Sequence, residues 1–190
     1  VTVIAAVANE SYVVMGCDAA AMNSANSYMY KREGKIAELH ADDGDPVLIG
    51  VSGNASILPV LQRSLTIEQT PHDGDDPDEW ADAIAVAITG ILADTNPSLL
   101  VTGDGAPYID GSILLACHEH LWLVHTNATI RPHNNMAAIG SGGEVATGAL
   151  AATLKHGGGP YEAVTTAVEA SCTFADGCRL DDRGPLIHHT

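Results

Sequence analysis

Residues 2–21 read TVIAAVANESYVVMGCDAAA: two apolar, β-branched runs, 2–8 and 12–17, separated by Asn9-Glu10-Ser11. β-Branched side chains suit a pleated, half-buried surface, and Asn and Ser supply a turn, so the stretch reads as a hairpin that ends at Gly16-Cys17-Asp18. Beyond it, a polar segment leads to a short alternating strand at 35–39, Lys35-Ile36-Ala37-Glu38-Leu39. A buried strand at 46–51 follows, broken at Ser52-Gly53-Asn54. Ile57, Leu58, Leu61 and Leu65 then recur at helical spacing, with Asn54 as the expected N-cap.

A second helix is signalled by Asp76 as cap, Pro77 in the first turn and Glu79 three residues after the cap. Trp80, Ile84, Ala87, Ile88, Ile91 and Leu92 trace its apolar face, and Asn96-Pro97 ends it. Strands are expected at 112–117, 121–125 and 136–139. Two helices follow, at 144–154 (apolar face Ala146, Ala149, Leu150, Thr153, Leu154) and 160–174, and Leu186-Ile187 closes as a last strand. Strands and helices do not alternate one by one, which disfavours a doubly wound parallel sheet. The order predicts an α+β protein with two central sheets sandwiched between helix pairs, a single domain over 1–190 with an acidic surface segment at about 66–79.

The chain has 190 residues, 46% of them hydrophobic, and carries 24 acids against 8 Lys plus Arg, a net charge of −16. Nucleic acid and anionic membranes would be repelled by that charge, so neither is an expected partner. No apolar run approaches the ~18 residues of a membrane span. The opening residues lack the basic start of a signal peptide, so a cytoplasmic location is expected. The acidic runs 42–45 and 73–79 read as solvated loops, because neither has the spacing of a calcium loop. Cys17, Cys117, Cys172 and Cys178 show no zinc spacing and read as reduced thiols. His118 and His120 share one strand face without a third ligand nearby. No metal and no cofactor is expected.

The chain opens Val1-Thr2. Valine is the literal translation of a GTG start codon, and removal of an initiator before threonine would leave Thr2 first. An N-terminal threonine is both nucleophile and base: its hydroxyl attacks a carbonyl while its α-amine, with a reference pKa of about 7.7–8.0, takes the proton.

TVIAAVANESYVVMGCDAAA, KIAEL, VLIGVSGNAS and AAIGSGGEVATGALAATL occur here in an order and spacing that resembles the proteasome β-subunit family. The likeness is greatest to its bacterial HslV-like branch of N-terminal-nucleophile (Ntn) hydrolases, and it spans nearly the whole chain apart from the acidic insert. It implies the four-layer αββα sandwich, the Ntn-hydrolase fold, with Thr2 as nucleophile of a threonine-type endopeptidase. Lys35 would lie beside it, lowering the amine's proton affinity, and Asp18 would hold that lysine. Gly53 would offer its N–H to the oxyanion, and Ser141 would bond near the α-amine. Asp176 is the candidate for a further family aspartate, with Ala175 an equal fit to the aligned position. The residues flanking the oxyanion glycine, Val51 and Ala55, with Ala21 across from them, would line an apolar pocket, which Glu33 would tilt towards basic side chains if it reaches in.

The resemblance further implies polypeptide substrates, a homo-oligomeric ring, and an ATP-dependent unfoldase ring or cap as partner. A catalytically silent ring subunit and an Ntn amidohydrolase of small amides are the alternatives. Each site residue also has a plainer reading. Asp18 is a turn residue, Lys35 a solvated lysine (though the chain has only three lysines), and Gly53 a strand end. Ser141 opens a capping box with Glu144. The family's Thr-Thr opening is Thr2-Val3 here, and no long propeptide is visible.

Overall fold

A computed structural model describes residues 2–22, 28–30, 34–103 and 106–190; Val1 and Glu33 lie outside the described residues. The opening hairpin forms. Strands β1 (Ile4–Ala8) and β2 (Val13–Cys17) pair antiparallel, Ile4 opposite Cys17 and Ala8 opposite Val13. Asn9 makes the turn, its Oδ1 accepting the N–H groups of Ser11 at 2.8 Å and Tyr12 at 2.9 Å. The chain continues through β3 (Ala20–Met22), β4 (Tyr28–Tyr30), β5 (Ile36–His40), β6 (Pro46–Gly53), α1 (Ile57–Ser64) and α2 (Pro77–Thr95). Then come β7 (Leu100–Gly103), β8 (Ala106–Ile109), β9 (Gly111–Cys117), β10 (His120–His125), β11 (Ala128–Ile130), β12 (Met136–Ile139), α3 (Gly143–Lys155), α4 (Pro160–Phe174) and β13 (Leu186–His189).

Among the described residues one sheet runs β12-β1-β2-β13 and a second runs β11-β10-β9-β6-β5, with every adjacent pair antiparallel. Successive side chains of a strand point to opposite faces, so each sheet divides its apolar residues between two cores. From β1, Ile4, Ala6 and Ala8 enter the core between the sheets, where they meet Met15, Leu48, Leu114 and Ile139. Val3, Ala5 and Val7 face the other way, onto Ala146, Leu150, Val164 and Val168 of α3 and α4. The second sheet sends Val47, Ile49, Ile113 and Leu115 onto Leu61, Ile84, Ile88 and Leu92 of α1 and α2. Helix pair, sheet, sheet, helix pair: the expected αββα sandwich is the architecture. Among the described residues no helix is long and apolar enough to cross a membrane.

Several local expectations change. Helix α1 starts at Ile57 with Ser56 as cap, and the Asn54 side chain instead accepts the Ser56 N–H at 3.0 Å in the turn before it. Asp76 does cap α2 through the Asp78 N–H, but Ala87 is exposed, and Ala81 and Ala85 fill the buried face. Strand β6 runs on through Ser52 and Gly53, because Ser52 pairs with Ser112 and Gly53 with Gly111. The hairpins β3–β4 and β7–β8 have strands of 3–4 residues, too short for a period to show.

The acidic runs are largely exposed, as expected of solvated loops, and two of their aspartates also tether them to the body of the fold. Asp43 Oδ2 accepts both the N–H and the hydroxyl of the buried Thr70, at 2.8 and 2.9 Å. Asp78 Oδ1 accepts from Trp122 Nε1 at 2.7 Å and Arg131 Nε at 2.6 Å, fastening the start of α2 to β10.

Candidate active site

Antiparallel pairing of β1 with β12 puts Ile4 opposite Ile139 and so delivers residues 140–142 to Thr2. The Thr2 nitrogen lies 3.1 Å from Ser141 Oγ, to which it donates. Ser141 Oγ donates in turn to the Thr2 carbonyl at 3.4 Å, and the Gly142 N–H reaches the same oxygen at 3.1 Å. Gly140 has φ +92°, and a Cβ there would overlap the Thr2 carbonyl, so the turn closes around Thr2 only with glycine. The capping box does not form: α3 is capped by Gly142 without a side-chain bond, and the Ser141 hydroxyl is turned to Thr2 instead.

Asp18, just past β2, is fully buried and accepts three donors. Oδ1 takes the Val3 N–H at 2.9 Å and Lys35 Nζ at 2.5 Å, and Oδ2 takes the Arg179 N–H at 3.3 Å. Lys35, just before β5, is buried with it, and its carbonyl accepts the Val51 N–H at 3.0 Å. Strand N–H groups alternate sides, so the Gly53 N–H, two residues on, points to the same edge of β6 as that of Val51. Gly53 has φ +102°, and a Cβ there would come within 2.6 Å of the Gly111 Cα. Only glycine fits this position.

Thr2, Asp18, Lys35 and Ser141 are thus joined directly or through the backbone of Val3. The pocket candidates are spread over three elements: Val51 is buried in the core under α1 and α2, Ala55 is exposed in the turn before α1, and Ala21 is half-buried on β3. Asp176 is exposed, and among the described residues it forms no hydrogen bond with Thr2, Lys35 or Ser141. Its neighbour two positions on, Cys178, is buried with Sγ 4.0 Å from Ser141 Oγ.

Cys178, Arg179 and Ser171 are participants that sequence reasoning missed. The Arg179 backbone clamps Asp18 and accepts the Ala19 N–H at 3.2 Å, while the buried Ser171 hydroxyl donates to the Gly142 carbonyl at 2.9 Å. Nothing local marks them, because their partners lie far off in the chain. Burial, reinforced by the Asp18 charge, pushes the thiols of Cys172 and Cys178 up, that of Cys172 to about 12, so both stay protonated at neutral pH. Elsewhere, His118 Nε2 pairs with Asp45 at 2.9 Å, and burial together with the Arg131 charge lowers the pKa of His120. Among the described residues no group of three or more His, Cys, Asp or Glu could hold a metal ion.

The fold is similar to that of several solved structures. Three solved structures show the likeness over nearly the whole chain. BPH of Thiobacillus denitrificans has a TM-score of 0.75 at 14% identity, covering 99% of this chain and 97% of its own. Eukaryotic HslV from Trypanosoma brucei has a TM-score of 0.70 at 18% identity, with 98% of each chain covered. Anbu from Yersinia bercovieri has a TM-score of 0.67 at 15% identity, over 98% of this chain and 80% of that one. No protein-family model and no curated protein matches the sequence.

Proposed function

We infer that the chain is a threonine-type peptidase subunit that hydrolyses peptide bonds within a homo-oligomeric ring, with Thr2 as its first residue when active. The observation that carries the reading is the enclosure of Thr2: its nitrogen sits on Ser141 Oγ, and a buried Lys35–Asp18 pair is anchored one residue away. A buried ion pair is weak evidence for stability, because the desolvation of both charges offsets their attraction, so its presence beside Thr2 points to chemistry.

In this mechanism Thr2 Oγ1 attacks the scissile carbonyl carbon and its proton passes to the Thr2 α-amine. The Gly53 N–H stabilises the oxyanion. Collapse transfers the proton from the Thr2 ammonium to the departing amine and leaves an ester on Thr2. Water, deprotonated by the same amine, attacks the ester and frees Thr2. Lys35 supplies positive charge that favours the neutral, basic form of the amine, and Asp18 holds Lys35 in place.

BPH has been solved in complex with epoxomicin, and the Anbu complex from Pseudomonas aeruginosa as a helical assembly. Both support testing this chain for the same ligand and for self-association. An ATP-dependent unfoldase ring or cap is the proposed partner. Small uncharged residues at 21, 51 and 55 favour cleavage after Leu, Tyr or Phe, since an acidic side chain there would lose its hydration without a partner.

The test is a fluorogenic peptide panel on protein whose intact mass shows Thr2 first, with and without epoxomicin. We expect turnover after apolar residues, inhibition by epoxomicin, and loss of turnover by ~10³-fold or more in Thr2→Ala with the melting curve unchanged. Turnover that survives Thr2→Ala rejects the mechanism. A ring without Thr2-dependent turnover makes the chain a silent subunit.

A further inference from the structure

The direction of the Gly53 N–H is set by the backbone on either side of it. Along β6 and just past it, successive N–H groups alternate between the two edges of the strand. The Val51 N–H goes to the Lys35 carbonyl at 3.0 Å on one edge, and the Asn54 N–H goes to the Asp110 carbonyl at 3.1 Å on the other. A trans peptide carries its N–H and C=O on opposite sides, so the Gly53 N–H faces Lys35 only while the Ser52 carbonyl faces β9. A Cβ on Gly111 of β9 would overlap that carbonyl oxygen, and glycine there leaves room for it.

Asn54 uses all four of its hydrogen-bonding groups. Its carbonyl accepts the Ile57 N–H at 3.2 Å, and its Oδ1 accepts the Ser56 N–H at 3.0 Å. Because Ser56 is the donor, the amide oxygen lies on that side and the NH2 faces the other way. The NH2 donates to Asp110 Oδ2 at 3.0 Å. Asp110 donates its own N–H to the Leu99 carbonyl at 2.8 Å, where Leu100 and Ile109 pair at the base of the β7–β8 hairpin. The backbone closes that base without the carboxylate, which serves Asn54.

We propose that Asp110 is a positioning residue for the oxyanion: through Asn54 it fixes the turn after Gly53 and so keeps the Gly53 N–H aimed into the site. The inference rests on the peptidase reading above for its catalytic consequence, but not for the clasp itself. Gly53 is exposed, with φ +102°, so neither a side chain nor burial holds its peptide planes. Turning the 52–53 peptide takes the Ser52 carbonyl off β9, and turning the 53–54 peptide takes Asn54 off Asp110. A carboxylate acceptor makes the second anchor stronger than a neutral one. Held at both ends, the donor has nothing to reorganise as charge develops on the substrate oxygen.

The test uses the chain beginning at Thr2, with Asp110→Ala, Asn54→Asp and the double variant Asn54→Asp/Asp110→Asn. A fluorogenic peptide cleaved by the parent gives kcat and KM, and mass spectrometry with fragmentation reads hydrogen exchange at the residue 54 N–H. Removing an oxyanion donor outright costs about 10²–10³-fold in kcat; loosening one in Asp110→Ala is expected to cost about tenfold, with KM unchanged. Exchange at residue 54 should quicken about tenfold. Asn54→Asp sets two carboxylates face to face and should lower kcat at least as far. In the double variant the amide introduced at 110 donates to the carboxylate introduced at 54, whose second oxygen still takes the Ser56 N–H. There kcat and exchange are expected to return to within about threefold of the parent.

A double variant as slow as Asn54→Asp overturns the proposal. So does Asp110→Ala with parental kcat, including the case in which only KM rises. If Asp110→Ala does not fold, the contrast between Asn54→Asp and the double variant decides. If the parent shows no Thr2-dependent turnover, the peptidase reading fails by itself, and exchange at residue 54 in the same variants still decides whether Asp110 holds the turn.

Discussion

Two ion pairs of nearly equal length sit in different surroundings. Lys35 Nζ and Asp18 are 2.5 Å apart with side chains 5% and 0% exposed, whereas Arg131 Nε and Asp78 are 2.6 Å apart with side chains 40% and 52% exposed. Arg131 and Asp78 are solvated, so their attraction is screened and they cost little to hold together. Their work is local: Asp78 also receives the Trp122 N–H, and the Arg131 guanidinium lies 5.4 Å from the Trp122 ring centroid. Burial alone would raise the Asp78 carboxyl, but the bonds from Trp122 and Arg131 outweigh it and hold the group below its usual range. Lys35 and Asp18 have given up nearly all contact with water. Distance does not separate the two pairs; desolvation does, and it lies beside Thr2.

The largest effect should come from breaking the buried pair. Lys35→Met leaves the Asp18 carboxylate uncompensated, with an expected loss of about 3–5 kcal/mol in urea unfolding and of turnover by ~10³-fold. Adding Asp18→Asn removes the orphan charge while keeping an oxygen for the Val3 N–H. Part of the stability should return, and none of the turnover. If turnover returned with stability, the pair would be structural only.

Assembly comes next in size. With a net charge of −16 per chain, subunits repel one another, and screening with a Debye length of about 8 Å at physiological salt weakens that repulsion. Light scattering across a salt series should show the large species gaining as salt rises; a monomer at every salt concentration would remove the ring from the proposal.

Arg131→Ala should cost only about 1 kcal/mol or less and leave turnover unchanged. A loss as large as that of Lys35→Met would erase the distinction between the two pairs.

The smallest effect concerns His120, which lies 3.2 Å from Arg131. Its pKa is lowered in the fold, first by burial and then by the Arg131 charge. The unfolded chain therefore binds the proton more readily. The corresponding stability is fully present above the ordinary histidine value of about 6.5 and is lost as pH falls from there through the folded value. Unfolding midpoints should decline over that window, and His120→Gln should flatten the decline.

The sequence alone determined the layers. Apolar, β-branched runs in residues 2–8 and 12–17, helical spacing at 57–65 and 144–154, and the Asp76-Pro77 start are local signals, and each appears in the fold where its residues lie. It also supplied Thr2, Asp18, Lys35 and Ser141 as a set, through spacing that resembles a known family. What it could not supply depends on contacts between distant residues. The choice between capping and Thr2 for the Ser141 hydroxyl was settled by a bond across 139 positions. Cys178, met as an ordinary core thiol, reaches Ser141 across 37 positions, while Asp176, the nearby residue of more obvious chemistry, stays exposed. Local propensity decides which segments are strands and helices, but a hydrogen-bonding group takes the partner that the packed chain brings within reach, and only the tertiary structure decides which that is.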